Sequence, residues 1–167
     1  MVTVVMNEAE VWRVLRDVPD PEIPVISICD LGIVRDVKIN DSAVTVTITP
    51  TYSGCPAMAA IKEDIEQCLQ AVGFAIVNVA TILSPPWSTD WISLAGRDKM
   101  RLAGIAPPGA SIDEARSHAV HFISKPPLCP LCRDRDTELL SQFGSTACKA
   151  LYRCRVCREP FDYFKPL

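Results

Sequence analysis

The pattern of hydrophobic and polar positions is clearest between residues 44 and 72, where it predicts a strand, a loop and a helix. Valine and isoleucine alternate with threonine over residues 44–49, which is the period of a strand with one buried face. Pro50 ends this strand, and Pro56 suits the first position of a helix because its fixed φ is already helical. Apolar residues then recur at steps of three and four, as on the buried side of a helix: Met58, Ile61, Ile65, Cys68, Leu69 and Val72. Gly73 is placed to end this helix.

This geometry leaves Cys55 at the N-terminus of the predicted helix. Unpaired backbone N–H groups and the positive end of the helix dipole favour a thiolate there, so we expect the pKa of Cys55 to fall. The thiol is then a candidate reactive group or metal ligand. The alternative is a small residue that fills the top of the core, because free cysteine is often buried.

A first helix is predicted over residues 8–17, where Asn7 and Glu10 form a capping pattern ahead of an apolar stripe. Prolines at positions 19, 21 and 24 prevent this helix from continuing. We expect a stiff, extended segment over residues 19–28, which carries the acidic residues Asp20 and Glu22.

Further along the chain, the pattern predicts a strand at 33–39 that forms a hairpin with the strand at 44–49. A third strand over 74–83 ends at Pro85 and would follow the helix as a right-handed crossover. Residues 88–90 offer an N-cap for a third helix, which contains Trp91 and Met100 and ends at Gly104. These elements predict an α+β fold, with a two-layer α/β domain built on a small mixed sheet.

Length and composition indicate one ordinary domain and one small one. The chain has 167 residues, of which 49% are hydrophobic and 22% charged, close to globular averages. We expect a main domain over residues 1–104, a linker over 105–128 and a small module over 129–167. No apolar run approaches the roughly 18 to 20 residues that a membrane-spanning helix needs, so no membrane partner is expected.

Charge and cysteine content bear on nucleic-acid binding and on the cellular compartment. The net charge is −3. Residues 1–128 hold 10 basic and 15 acidic residues, which gives −5, and residues 129–167 hold 7 and 5, which gives +2. A charge of +2 on a small module is too low to indicate binding to nucleic acid. Eight cysteines without an export signal favour a reducing compartment, so we expect a cytoplasmic location.

Two C-x2-C pairs form the most specific signal in the chain. The first pair, CPLC, and the second, CRVC, are separated by 21 residues, and four such thiolates can close a tetrahedron around zinc: Cys129, Cys132, Cys154 and Cys157. Domains below about 40 residues rarely fold without a metal, disulfides or a partner. We therefore expect a zinc-ribbon domain with a structural zinc ion, although the same four cysteines permit a single iron.

The remaining cysteines and the two histidines carry weaker signals. Cys29 and Cys68 resemble core fillers, and Cys148 is either a spare thiol or a second functional one. His118 and His121 would share one face of a helix and suggest a metal site. The surrounding residues favour a strand, however, which would put them on opposite sides.

Three segments of the main domain resemble the signatures of a known family, the iron-sulfur assembly domain of SufT and cytosolic MIP-type proteins. They are residues 20–25 (DPEIPV), 30–34 (DLGIV) and 49–58 (TPTYSGCPAM), and the resemblance covers roughly residues 7–104.

Further segments resemble the PaaD family, encoded with the phenylacetyl-CoA epoxidase system. They are residues 85–91 (PPWSTDW), 104–108 (GIAPP), 143–149 (FGSTACK), 160–165 (PFDYFK) and the two C-x2-C pairs.

The resemblance implies an accessory role in aerobic phenylacetate degradation. The expected task is delivery or assembly of iron or an iron-sulfur cluster for the oxygenase or its reductase, which are the implied partners. In such proteins the cysteine at the position of Cys55 is the candidate iron or cluster ligand, with the acids at Asp20 and Glu22 nearby. Cys29 departs from the small apolar residue expected there, and is either a second ligand or filler.

One thiolate cannot hold a cluster, whose irons usually need four protein ligands. A transient cluster therefore requires a homodimer, Cys148 or an exogenous thiol. No nucleotide-binding Gly-rich loop and no diiron Glu-x-x-His helix is recognisable, so the chain is not expected to be the catalyst itself. The opposed hypothesis is a rubredoxin-like electron-transfer or scaffold subunit of the oxygenase complex.

Overall fold

The computed structural model describes residues 6–40, 42–109 and 126–166. The chain divides into two compact units. The first is made of Met1–Trp87 and Trp91–Gly96, and the second of Ser88–Asp90 and Arg97–Leu167. No helix among the described residues is long and apolar enough to cross a membrane. His118 and His121 lie outside the described residues.

The first unit contains a three-stranded mixed sheet. Strands β1 (Val34–Asn40) and β2 (Ala43–Ile48) form the predicted antiparallel hairpin, and β3 (Ile76–Thr81) pairs with β2 in parallel. The order is β1-β2-β3. Helix α1 (Glu8–Leu15) precedes the sheet, and α2 (Ala57–Ala71) is the crossover between β2 and β3. The α+β fold class and the small mixed sheet are confirmed.

The core of this unit lies between the sheet and the two helices. The alternating face of β2 is fully buried, and α2 buries one residue per turn: Val44, Val46, Ile48, Ile61, Ile65 and Leu69. Helix α1 adds Val11 and Leu15 and begins at the predicted capping box, in which Asn7 and Glu10 bond to each other's backbone N–H groups. Both helices therefore follow from their apolar periodicity.

Two predictions for this region were wrong. The segment over residues 19–28 is a closed loop, because Pro19 and Ser27 form an antiparallel bridge and the N–H of Asp20 bonds to the carbonyl of Ile26. Helix α3 (Leu94–Leu102) is not capped by residues 88–90, since a 3-10 turn occupies Thr89–Trp91. Its cap is Ser93, whose Oγ accepts a hydrogen bond from the N–H of Gly96.

The second unit is built on a four-stranded sheet. Its strands are β4 (Ile105–Ala106), β5 (Thr137–Ser141), β6 (Lys149–Cys154) and β7 (Pro160–Phe164), in the order β4-β7-β6-β5. Strand β4 is parallel to β7, and the other pairs are antiparallel. A compact core lies at this sheet: Ala106, Cys129, Ala150, Cys154, Phe161 and Tyr163. The first two residues of the expected linker thus form an edge strand of the ribbon sheet.

Candidate metal and cluster sites

Cys55 lies in the loop between β2 and α2, where the sequence places it. The loop turns at Gly54 (φ +90°), and Pro56 occupies the N-cap position with helical backbone angles. The N–H of Cys55 bonds to the carbonyl of Tyr52 (3.3 Å), and its carbonyl accepts from the N–H of Met58 (3.3 Å). The side chain is half-buried. The thiol therefore lies at the start of α2 and is partly accessible from solvent.

The electrostatics of Cys55 differ from the expectation. Burial raises the pKa of the thiol above its ordinary value, and the nearby charges of Glu22 and Asp20 raise it further. Hydrogen bonds from the backbone N–H of Ala57 and the side chain of Tyr52 act in the opposite direction. The helix N-terminus thus has the predicted effect, but burial and two carboxylates outweigh it. The prediction of a lowered pKa was wrong.

Asp20 and Glu22 lie near enough to Cys55 for their charges to raise the pKa of its thiol. Asp20 is buried, and its Oδ1 accepts hydrogen bonds from the N–H groups of Glu22 (2.9 Å) and Ile23 (2.8 Å). Asp20 therefore holds the turn that carries Glu22. This structural task could not be read from the spacing of the two acids.

Sequence reasoning missed two other residues at this loop. Thr49 was assigned to the exposed face by alternation, but it is only 1% exposed. Its Oγ1 has no hydrogen-bond partner among the described residues. The alternation fails because β2 ends at Ile48 and the N–H of Thr49 bonds to Ile33. Tyr52, whose side chain hydrogen-bonds Cys55, lies in the segment that resembles the family signature but was not singled out.

Cys29 and Cys68 occupy a different environment. Burial raises the pKa of Cys29 to about 12, with Arg16 lowering it and Asp30 and Cys68 raising it. The thiol of Cys68 donates to the carbonyl of Ile65, one turn earlier in α2 (3.2 Å). Burial is the largest cause that raises the pKa of Cys29 and Cys68, as it is for Cys55, so the core-filler interpretation of Cys29 and Cys68 stays a prediction.

The four ribbon cysteines converge on one point. Their sulfur atoms all lie within 4.8 Å of one another. The Sγ–Sγ distance is 3.7 Å for Cys129 and Cys157, and 3.5 Å for Cys132 and Cys154. A tetrahedron with Zn–S bonds of about 2.3 Å has sulfur atoms about 3.8 Å apart. The cysteines therefore fit a metal ion of this coordination.

The two knuckles share a backbone conformation that supports this site. Arg133 and Arg158 each follow the second cysteine of a pair, and both have positive φ (67° and 65°). The N–H of Cys157 points at Sγ of Cys154 (3.5 Å) and is the largest cause that lowers the pKa of Cys154, to about 7. A backbone N–H thus favours the thiolate form of Cys154, the form that a metal requires. Backbone N–H groups act in the same direction at Cys132 and Cys157, but burial and neighbouring thiols raise the pKa of both above the ordinary value.

Cys148 lies outside the four-sulfur group. It is buried, and its sulfur is 3.0 Å from Oγ1 of Thr146. Beside it, Lys149 is nearly buried and forms an ion pair with Asp162 (3.3 Å). Cys148 is therefore a buried residue of the second unit, directly before β6.

Comparison with known proteins gives matches to both parts of the chain. Residues 115–165 match the family described as "PaaD zinc beta ribbon domain", and residues 8–80 match "Iron-sulfur cluster assembly protein". An Escherichia coli (strain K12) protein, named as a subunit of a putative 1,2-phenylacetyl-CoA epoxidase, is 46% identical over 157 residues, 93% of this chain and 91% of that protein.

Two further matches cover the first part of the chain. The "Fe-S protein maturation auxiliary factor" of Porphyromonas gingivalis is 39% identical over 89 residues, 52% of this chain and 84% of that protein. The crystal structure of a domain of unknown function, DUF59, from Bacillus anthracis is 28% identical with a TM-score of 0.52, and the match covers 56% of this chain and 90% of that one.

Proposed function

The chain belongs to the PaaD family of phenylacetyl-CoA epoxidase components, and on this premise we propose that it is a maturation subunit of that epoxidase system. Its task is to assist assembly of iron or an iron-sulfur cluster in the oxygenase or its reductase. These components are its partners, and the work takes place in the cytoplasm.

Homology supports an accessory role related to iron-sulfur assembly. The first unit matches the iron-sulfur cluster assembly family over residues 8–80 and is similar to an iron-sulfur maturation factor. The epoxidase as the client rests on the full-length relative, which is named as part of that enzyme.

The observation that carries the proposal is the grouping of Cys55 with Glu22 and Asp20 in the matched domain. A thiol and carboxylates are ligand types that iron accepts. The two negative charges disfavour the thiolate form of Cys55 while no cation is bound. They attract a cation, however, and a bound cation would in turn favour the thiolate. One cysteine cannot hold a cluster by itself. We therefore assign Cys55 to transient contact with iron or a cluster that is cargo, with Glu22 beside it and Asp20 holding the turn.

The ribbon metal has a separate, structural task in this proposal. The four cysteines fit a tetrahedral zinc ion, and two of them, Cys129 and Cys154, are part of the core of the second unit. A structural zinc site can contribute on the order of 10 to 16 kcal/mol to folding. We propose that zinc holds this unit together and that cargo is handled in the first unit.

Co-expression tests the maturation role. The oxygenase and reductase components are produced with and without this chain, and iron is counted on each purified component. We expect iron loading to fall without the chain and with the Cys55→Ser variant. Cys68→Ser is the matched control, because serine can keep the hydrogen bond to the carbonyl of Ile65. Full iron loading of the client with a stable Cys55→Ser protein would refute the role of Cys55.

The rubredoxin-like alternative uses the same four ribbon cysteines. Metal analysis and visible absorbance of the purified protein separate the two. We expect one zinc ion and no colour, whereas one iron ion with the absorbance of an iron-thiolate centre would favour electron transfer.

A further inference from the structure

Strand β3 is an open edge of the first sheet. It pairs with β2 on one side. Within residues 6–40, 42–109 and 126–166, no strand pairs with its other side. An edge strand presents a row of unpaired N–H and C=O groups, which is a template for another strand. This edge therefore has the hydrogen-bonding capacity to extend the sheet.

The two edges of this sheet are protected differently. Strand β1, at the opposite edge, carries Arg35, Asp36 and Lys38, and its pairing is interrupted by a bulge-type register shift between Val34 and Asp36. Charges and bulges are the devices by which proteins block edge pairing. Strand β3 has the sequence IVNVAT, with no charge, no proline and a regular register to β2. The open edge thus lacks the protection that its counterpart has.

Strand β3 is exposed or half-buried along its whole length. None of its six residues is buried, and Ile76 is 53% exposed. Exposed apolar side chains flank the strand as well, with Val72 39% exposed ahead of it and Leu83 64% exposed behind it. Exposed apolar side chains at and beside an uncharged edge strand are typical of an interaction surface.

We propose that β3 pairs antiparallel with β3 of a second copy of this chain, so that two three-stranded sheets join into one of six strands. The pleat restricts the register of this pairing. Val77 and Val79 lie opposite Val44 and Val46 and share the helix-covered face, while Asn78 lies on the other face opposite Thr45. Directly opposed residues share a face. A two-fold pairing that keeps all helices on one side must therefore pair odd positions with odd and even with even.

The register centred on Asn78 meets this condition. It sets Asn78 against Asn78 of the second copy, Val77 against Val79 of the second copy, and Ile76 against Ala80 of the second copy. The amide of Asn78 both donates and accepts, so it can hydrogen-bond to its own copy. No like charges meet, because the strand has none. This self-complementarity favours a second copy over a foreign strand.

The pairing is expected to be weak. One six-residue strand and its flanking side chains bury less than the roughly 1,200 Å² at the lower limit of standard stable interfaces. Dimerisation should therefore depend on protein concentration.

This dimer does not bring two Cys55 residues together. Strand β2 is parallel to β3 and ends at Ile48, level with Thr81. In the antiparallel dimer the two Ile48 ends are separated by six residue steps along the strands, about 20 Å at roughly 3.3 Å each. The two Cys55 loops then follow opposite ends of the joined sheet, and each handles cargo separately.

Sedimentation velocity over a wide concentration range tests the proposal on the full chain. Wild type should shift from monomer to dimer as the concentration rises. Asn78→Lys and Asn78→Glu each put like charges directly opposite at the two-fold axis, so each should stay monomeric. An equimolar mixture of the two should dimerise again, because Lys and Glu then face each other. Gln142→Lys, at an exposed position of the other unit, makes the same amide-to-lysine change and should dimerise like wild type.

Each outcome is decisive. A wild type that stays monomeric throughout, an Asn78→Lys variant that still dimerises, or a mixture that fails to dimerise would overturn the pairing. Circular dichroism of both variants ensures that their sheets are intact. Binding of β3 to another protein, without self-association, would also contradict a second copy as the occupant.

Discussion

Gly32 should be far more sensitive to substitution than another glycine with positive φ. It has φ +69°, and a Cβ built there would lie 2.6 Å from Cβ of Trp91 and 2.7 Å from its carbonyl oxygen. The left-handed conformation costs a non-glycine residue about 1 to 2 kcal/mol, and overpacking adds about 1 to 3 kcal/mol. Gly32→Ala should therefore lower the free energy of unfolding by about 2 to 5 kcal/mol.

Gly54→Ala is the matched control. Gly54 has φ +90° and nothing within 4 Å of a built Cβ, so only the backbone cost of about 1 to 2 kcal/mol applies. Urea unfolding followed by tryptophan fluorescence measures both variants, because all three tryptophans, Trp12, Trp87 and Trp91, belong to the first unit. If Gly32→Ala costs no more than Gly54→Ala, the contact with Trp91 does not resist a methyl group and the reasoning fails.

Three further predictions concern the thiols and the buried ion pair. Chelating the metal of the four-cysteine centre should unfold the second unit and leave the tryptophan fluorescence of the first unchanged; simultaneous loss of both would contradict two independently stable parts. Glu22→Gln should lower the pKa of Cys55, because a like charge is removed; the pH dependence of alkylation at Cys55, read by mass spectrometry, should shift to lower pH, and no shift would count against the grouping. Asp162→Ala should destabilise by on the order of 3 kcal/mol, because Lys149 is left buried and unpaired, whereas Lys149→Met should cost clearly less; equal losses in urea unfolding would argue against this account.

The parts of the fold that sequence predicts are those set by local periodicity. The hairpin and α2 follow from alternation at Val44–Ile48 and from steps of three and four after Pro56. The C-x2-C spacing likewise predicted a convergent four-thiol centre, because short knuckles leave few other arrangements.

The errors arise where contacts outside the apolar periodicity decide. The bridge between Pro19 and Ser27 and the hydrogen bond from the N–H of Asp20 to the carbonyl of Ile26 close a segment that proline content alone predicts as extended. The cap of α3 is Ser93, whose Oγ also donates to Asp30, 63 residues earlier in the chain. The pKa of Cys55 depends on burial and on Glu22, neither of which is visible at a helix start. Such contacts require the tertiary structure.

The pairing of β4 with β7 has a consequence for how the ribbon can be separated from the rest of the chain. Ile105 and Ala106 lie 23 residues or more ahead of Cys129, yet they cover the edge of β7. A fragment that begins at Cys129 keeps all four thiols but exposes that edge and loses Ala106 from the core. Such a fragment should bind metal and still self-associate through β7, whereas one that begins at Arg97 retains its own edge cover.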